Sequence, residues 1–324
     1  MYFRRLFLLV TEQCDSRCTL CDYWLIKRPK VIDPELVERR VAPFIQKNGL
    51  SVVCVSGGEP TLHPELPRIV RAVREAGASA TLTTSTSQLE EHFDGLRSLV
   101  THYLISLDGP DRDTYLQSRG VDLFDHVLAQ VDRVRTETTA EVAISCVLQA
   151  GNIEKLRPLV ALCLKIGVHR LFLRVPDLKP GAFGRAGDPR SRTRQQALVS
   201  PEQVEQLRAD MAWLTQNADA QHLLGQSPRD LARKVKYFDC IAQGQPYEEE
   251  DQLCDVPLTS LVIQSDGAAR PCFYLPQTQA LNEDPAEGPA FREVYERLLN
   301  DTGFRRAWCN ACQQFDGHKR SIGA

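Results

Sequence analysis

Three cysteines, Cys14, Cys18 and Cys21, lie within eight residues of one another in "TEQCDSRCTLCDYW", directly after the apolar run Leu6 to Val10. Thiolates bind zinc and iron-sulfur clusters. A structural zinc ion takes four protein ligands, and no fourth Cys or His is near in sequence, His63 being too distant. A [4Fe-4S] cluster takes one thiolate per iron, so three cysteines would leave one iron open for chemistry. A zinc site that borrows a distant fourth ligand is the alternative on this array alone.

Disulfides are a poor use for these thiols. The chain has 11 cysteines in 324 residues, an odd number and far below the density of small secreted scaffolds. "MYFRRLFLLV" has too short an apolar run for a signal peptide, no small-residue cleavage site follows, and Gln13 before Cys14 does not suit a lipoprotein site. No segment reaches the ~18 apolar residues needed to span a bilayer. The expectation is a cytoplasmic protein with reduced, metal-competent thiols. At 43% hydrophobic and 25% charged it is an ordinary globular chain, and a net charge of -3 points to neither nucleic acid nor membrane. The basic stretch "RSRTRQQ" from Arg190 reads as a solvated loop.

Strands and helices alternate over the first 175 residues. Apolar runs at Leu6–Val10, Ser51–Val55, Ala80–Thr84, His102–Leu107, Glu141–Leu148 and Arg170–Arg174 read as six strands. Between them, Asp33 followed by Pro34 reads as a helix start. Leu66, Ile69, Val70 and Val73 form an apolar stripe that stops at Gly77, and Leu156, Leu159, Val160 and Cys163 form another before Gly167. Six such alternations predict an α/β fold with a parallel sheet, as a barrel or a doubly wound sheet. The texture changes near residue 186. Helices follow at about Pro201–Gln216 and Pro228–Tyr237, then a hairpin about Ser265, Asp266 and Gly267, then one helix before "CNAC".

The C-x3-C-x2-C array resembles the signature of the radical S-adenosylmethionine (SAM) enzymes. A second motif agrees: the strand "VVCVSGGEP" ends in Gly57, Gly58, Glu59 and Pro60, matching that family's GGEP. The resemblance implies a partial (β/α)6 TIM-like barrel over residues 1–186. It implies SAM chelated at the open iron and cleaved by one electron to methionine and a 5′-deoxyadenosyl radical, which takes a hydrogen atom from the substrate. Leu20 then faces adenine, Glu59 pairs with the methionine ammonium, and the glycines bring backbone close to the ligand. Ser106 and Asp108, in "YLISLDG", face methionine or ribose, with a plain strand end as the alternative. "TTSTS" at Thr83 departs from the family's Thr-Asn-Gly.

Four further cysteines, Cys254, Cys272, Cys309 and Cys312, resemble the SPASM and twitch extensions of that family, and the chain stops too early for a full SPASM set. The implied arrangement is a small twitch domain over 254–324, joined by a helical region over 187–253 and holding an auxiliary [4Fe-4S] cluster. A four-thiolate zinc site is the alternative. Cys54, Cys146 and Cys163 read as core residues. Cys240 lies between core and extension, where some radical SAM epimerases place a thiol hydrogen-atom donor; a packed thiol is the other reading.

With no recognisable leader-peptide domain before the first strand, the chain is similar to twitch enzymes that epimerise or oxidise carbons of carbohydrate or aminocyclitol natural products. Peptide modification by the same chemistry is the alternative, and a non-catalytic iron-sulfur or zinc protein is an alternative of another class. The implied partners are a small-molecule or peptide substrate and an electron donor such as flavodoxin or ferredoxin.

Overall fold

The computed structural model describes residues 3–178, 183–185, 190–248, 252–275, 278–281, 288–310, 312 and 319–321. All six expected strands are present: β1 (Arg5–Thr11), β2 (Val52–Gly57), β3 (Ser79–Thr84), β4 (His102–Ser106), β5 (Glu141–Val147) and β6 (Arg170–Arg174). Each pairs in parallel with the next. Parallel neighbours require crossovers, and helices such as Leu66–Glu75, Phe124–Glu137 and Leu156–Lys165 supply them. Asp33 caps the first helical run as expected, its Oδ1 accepting from the Glu35 N–H at 2.9 Å.

Burial alternates along the strands and assigns their faces. Leu6, Leu8 and Val10 of β1, Tyr103 and Ile105 of β4, and Val142, Ile144 and Cys146 of β5 are fully buried beneath the helices. Alternate residues, such as Leu9, Leu104, Ser106, Ser145 and Arg174, are half-buried and line cavities on the other face. One face therefore builds the core and the other builds space.

The six parallel strands do not close on themselves, and both edges of this group are covered. Beyond β6, the Gly225 N–H donates to the Leu171 carbonyl at 3.0 Å and the Leu173 N–H donates to Gln226 Oε1 at 2.7 Å. Residues 224–226 thus satisfy groups that an edge strand would expose. On the other side the C-terminal segment enters. It begins with β7 (Gln252–Cys254), continues through β8 (Ser260–Ile263), β9 (Ala268–Arg270) and β10 (Gln279–Ala280), and ends with β11 (Lys319–Ser321). β8 lies parallel to β1, pairing Leu6 with Leu261, and β9 and β10 follow in antiparallel order. The expected hairpin is present and forms part of the main sheet. β7 and β11 pair separately.

Two readings of the C-terminal half change. The helical region is a layer packed on the barrel: Arg157 pairs with buried Asp210 of the helix Pro201–Gln216 at 2.6 Å, and the Tyr237 hydroxyl donates to the Pro176 carbonyl at 2.6 Å. The single helix expected before "CNAC" is two, Pro289–Asn300 and Thr302–Arg305, because Asp301 is extended and its Oδ1 caps the second one at the Phe304 N–H. The boundary expected near residue 186 lies outside the described residues. Among those residues no helix is long and apolar enough to cross a membrane.

Because Leu261 is fully buried beside β1, Leu261→Ala should lower the stability of the whole chain by about 2–5 kcal/mol. Denaturant unfolding followed both by far-UV circular dichroism and by tryptophan fluorescence should show one shared shift. A loss confined to the hairpin would mean that it is a separate unit.

Candidate active site

The parallel strands deliver their carboxyl ends to one place, the edge where α/β folds build sites. A cavity of about 300 Å³ there is bordered by Gly57, Thr84, Ser106, Val147 and Arg174, the last residues of β2 to β6. Cys14, Cys18 and Cys21, on the loop after β1, border the same space, as do Leu20, Gly58, Glu59 and Asp108. Pro60 does not; it is buried at the start of the turn Pro60–Leu62. Cys240 does not either. It lies on the helix Pro228–Ala242, half-buried against the main core, beside Asp239 that pairs with Arg208. The structure therefore gives no geometric support to Cys240 as a hydrogen donor in this cavity.

The two glycines close the gap between protein segments. A Cβ on Gly57 would sit 2.3 Å from the Thr11 carbonyl oxygen, and one on Gly58 would sit 2.1 Å from that of Gln13. This closeness lets the Gly58 and Glu59 N–H groups donate to the Thr11 and Gln13 carbonyls, each at 2.7 Å. Both glycines border the cavity, and they also admit the backbone just ahead of Cys14.

Glu59 is buried, and its carboxylate accepts five hydrogen bonds. Oε1 takes the Thr61 N–H (3.0 Å), the Thr61 hydroxyl (2.7 Å) and the Thr84 hydroxyl (2.5 Å). Oε2 takes the Ser85 N–H and hydroxyl, both at 2.6 Å. The Thr84 hydroxyl in turn accepts from the N–H of Thr86, which holds a φ of 68°. That left-handed conformation is rare for a β-branched residue, and it falls within "TTSTS" where the sequence departs from the family's Thr-Asn-Gly. Thr84 and Ser85 were not singled out from the sequence, since nothing local marks a serine or threonine as the partner of a carboxylate 26 residues away.

The cysteine loop is held from both sides. Trp24 donates its indole N–H to the Cys21 carbonyl at 2.9 Å. Arg185 donates to the Leu20 carbonyl at 2.6 Å, Arg190 pairs with Asp22 at 2.7 Å, and the buried Thr193 hydroxyl donates to the Thr19 carbonyl at 2.8 Å. "RSRTRQQ" is therefore a helix, Ser191–Ala197, docked on this loop, and the solvated-loop expectation is corrected. Asp108 accepts from the Val147 N–H at 2.7 Å and pairs with Arg119 at 3.2 Å. Ser118 Oγ and Arg119 Nε, both at the cavity, are buried without a partner among the described residues.

The donor set fits an iron-sulfur cluster and a polar ligand beside it. Three soft sulfurs stand together at a cavity whose wall holds orphaned polar atoms, and such atoms call for acceptors from a ligand. Among the described residues no three Cys, His, Asp or Glu groups converge on a single ion. Burial pushes the Cys14 and Cys21 thiols from 9.0 up to about 12 and also raises Cys18, so they are protonated until a metal displaces the proton.

A second group of thiols lies behind the hairpin. Cys254, Cys272, Cys309 and Cys312 are all buried in a small apolar cluster with Val256, Tyr274, Leu275, Val294, Leu298 and Phe304. Cys309 sits in a π-helical turn, Arg306–Asn310, and the Cys312 N–H donates to its carbonyl at 3.1 Å. Burial raises the Cys254 thiol well above its ordinary value, and charge on the other three raises it further. The four thiols are thus close enough to feel one another.

Fold and site together define a class, an open parallel α/β barrel that presents three thiols at its strand ends. Residues 8–157 match the family model described as the Radical SAM superfamily. The GTP 3′,8-cyclase of Ectopseudomonas mendocina (strain ymp) is 29% identical over 208 residues, 61% of this chain and 60% of the relative. That of Rhodococcus opacus (strain B4) is 28% identical over 177 residues, 52% of this chain and 50% of the relative. The chain thus spans about half to three-fifths of these curated relatives. Among solved structures, Streptococcus suis SuiB bound to S-adenosylmethionine shares the fold with a TM-score of 0.68 and 17% identity, over 90% of this chain and 68% of SuiB. Native anSMEcpe with bound AdoMet has a TM-score of 0.64 and 16% identity, over 89% of this chain and 82% of that one.

Two outcomes follow from the geometry. In Glu59→Gln the amide NH2 must face either the Thr61 or the Ser85 backbone N–H, neither of which can turn away, so stability should fall by about 1–3 kcal/mol. Thermal unfolding without SAM or metal checks this, and an unchanged midpoint would mean that the five-donor network contributes nothing. The raised thiols also fix a pH dependence. Unfolded thiols lose protons near 9 while folded Cys14 and Cys21 keep theirs to about 12, so the metal-free protein should lose stability as pH rises through that window. Denaturation at stepped pH should give a shallower loss for Cys14→Ala/Cys21→Ala than for wild type.

Proposed function

We propose that the chain is a radical SAM enzyme that abstracts a hydrogen atom from a C–H bond of a small-molecule substrate. One observation carries the reading: the three-thiol loop, the end of the GGEP strand, and Ser106 and Asp108 all border one cavity. In this reading residues 1–186 are the catalytic core, and Cys14, Cys18 and Cys21 hold a [4Fe-4S] cluster. SAM occupies the cavity, with Leu20, Ser106 and Asp108 as its contacts. Residues 254–324 form a twitch-like extension, joined through 187–253, in which Cys254, Cys272, Cys309 and Cys312 hold an auxiliary [4Fe-4S] cluster. When bound, these groups supply a hydrogen-abstracting radical and a site that can take up an electron.

The protein's own residues bind, orient and exclude water. Gly57, Gly58 and Pro60 seat the second strand against the cysteine loop. Glu59 acts by fixing the loop after β3, so its place here is a positioning one instead of the ammonium contact first expected. Asp108 and Arg119 form a fixed ion pair in the wall, while Leu104, Val147 and Phe183 keep the cavity walls apolar.

Oxidation is the better supported outcome of the two carried from the sequence. Inversion needs a hydrogen donor on the opposite face, and Cys240 does not border the cavity, whereas Tyr274, two residues after Cys272, borders the space next to it. A carbohydrate or aminocyclitol carbon fits that outcome. The relatives are GTP 3′,8-cyclases, which also suits a small-molecule substrate. Peptide modification is the second reading, since SuiB is also known bound to its precursor peptide. Reduction would come from a flavodoxin or ferredoxin.

Reconstituted without oxygen, the protein should hold about eight irons and eight sulfides, and replacing Cys14, Cys18 and Cys21 together by Ala should remove about half. With a strong reductant it should release 5′-deoxyadenosine and methionine from SAM. Zinc in place of iron at the C-terminal thiols would sink the auxiliary cluster, and iron-loaded protein that leaves SAM intact would sink the function.

A further inference from the structure

A second cavity of about 300 Å³ adjoins the first, and Tyr23, Ser56, Gly57 and Phe183 border both. Its remaining walls come from the end of β1, from the hairpin strands β8 and β9, and from Phe273 and Tyr274, which follow Cys272. Most charges around it are already engaged. Glu12 is turned to backbone, its Oε2 accepting from the Lys30 N–H at 2.8 Å. The Lys30 ammonium pairs with Asp266 at 2.7 Å, and Arg185 donates to the Leu20 carbonyl at 2.6 Å.

Arg270, at the end of β9, is different. It borders the cavity and is half-buried, and its Nε, like that of Arg185, is buried without a partner among the described residues, but there no backbone carbonyl holds its guanidinium as that of Leu20 holds Arg185. Buried donors are ordinarily satisfied, and a guanidinium Nε–H left without an acceptor in a cavity wall signals an acceptor that arrives with a ligand. A planar fork of N–H donors suits the paired oxygens of a carboxylate or phosphate.

We infer that the second cavity holds the substrate and that Arg270 anchors an oxyanion on it, a carboxylate or a phosphate. The inference rests on the proposed reading of the first cavity as the SAM site. Leu9, Val262 and Phe273 bury the uncharged part, and the end far from Arg270 reaches the first cavity past Tyr23 and Phe183. The paired oxygens of an oxyanion match that fork and its charge better than single hydroxyls do, so the substrate class is a small organic anion, which includes a carbohydrate bearing a carboxylate or a phosphate.

The test uses the intact chain. Phenylglyoxal modification of the Arg270 peptide is followed by mass spectrometry in inorganic phosphate, in succinate, and in chloride at matched ionic strength. Protection of several-fold by phosphate or by succinate, and not by chloride, is expected, and which anion protects tells a phosphate substrate from a carboxylate one. Titration calorimetry with the protecting anion should show saturable binding that Arg270→Gln removes and Arg270→Lys keeps in part, since an ammonium retains charge without the fork. Equal modification in all three salts, or an Arg270→Gln protein that binds the anion as tightly as wild type, overturns the inference. SAM binding by the wild-type protein, read separately by equilibrium dialysis, reports on the first cavity alone.

Discussion

The site depends on how the second strand's end is tied to its neighbours. Through its backbone, Glu59 donates to Gln13, one residue before Cys14, and through its side chain it holds Thr61, Thr84 and Ser85. Three strand ends are thereby joined at a single buried residue. A lone carboxylate would be expensive to bury, and five donors offset that cost. Charge-assisted bonds are also strong and directional, so the loop carrying the cysteines is fixed before any cofactor arrives. The same network holds Thr86 at a positive φ, a strain the neighbouring bonds can sustain.

The open sheet explains why the extension cannot be a loose appendage. A barrel that stops at six strands has two edges, and an uncovered edge invites pairing with other chains. The β6 edge is covered by residues 224–226 and the β1 edge by β8. Because β8 pairs with the strand that leads to Cys14, the hairpin that carries Arg270 and precedes Cys272 is placed by the barrel's own hydrogen bonds. Phe7 against Phe273, with ring centroids 4.9 Å apart, adds a side-chain contact across the same join. Position at one thiol group is thus transmitted to the other through backbone.

Most of the fold and much of the site could be read from the sequence because they rest on local signals. Strand alternation and the Asp33 cap act within a few residues, and each is where the pattern implied. What could not be read rests on partners distant in the chain. The Arg119 pairing with Asp108, the Thr84 and Ser85 bonds to Glu59, and the docking of Arg190 on Asp22 have no spacing rule to mark them. The basic stretch at Arg190 looked solvated because its charges were counted without their partner. The chain's path also misled at Cys240: lying between core and extension in sequence suggested the cavity, but an amphipathic helix buries one face against its layer wherever the chain happens to pass.

That misplacement bears on the chemistry. A substrate radical that is to be inverted must meet a donor on the face opposite abstraction, and that donor must border the substrate's space. Of the thiols bordering either cavity, only Cys14, Cys18 and Cys21 qualify by position, and the proposed cluster takes all three. The second cavity instead ends on Tyr274 and Phe273, the residues next to Cys272. Under the proposal, an electron leaving a substrate anchored at Arg270 would have a short route to an auxiliary cluster held by the second thiol group, whereas among the described residues no further thiol borders either cavity to supply a hydrogen atom. On the proposed reading of the two cavities, loss of two hydrogens is favoured over inversion by which side chains reach them.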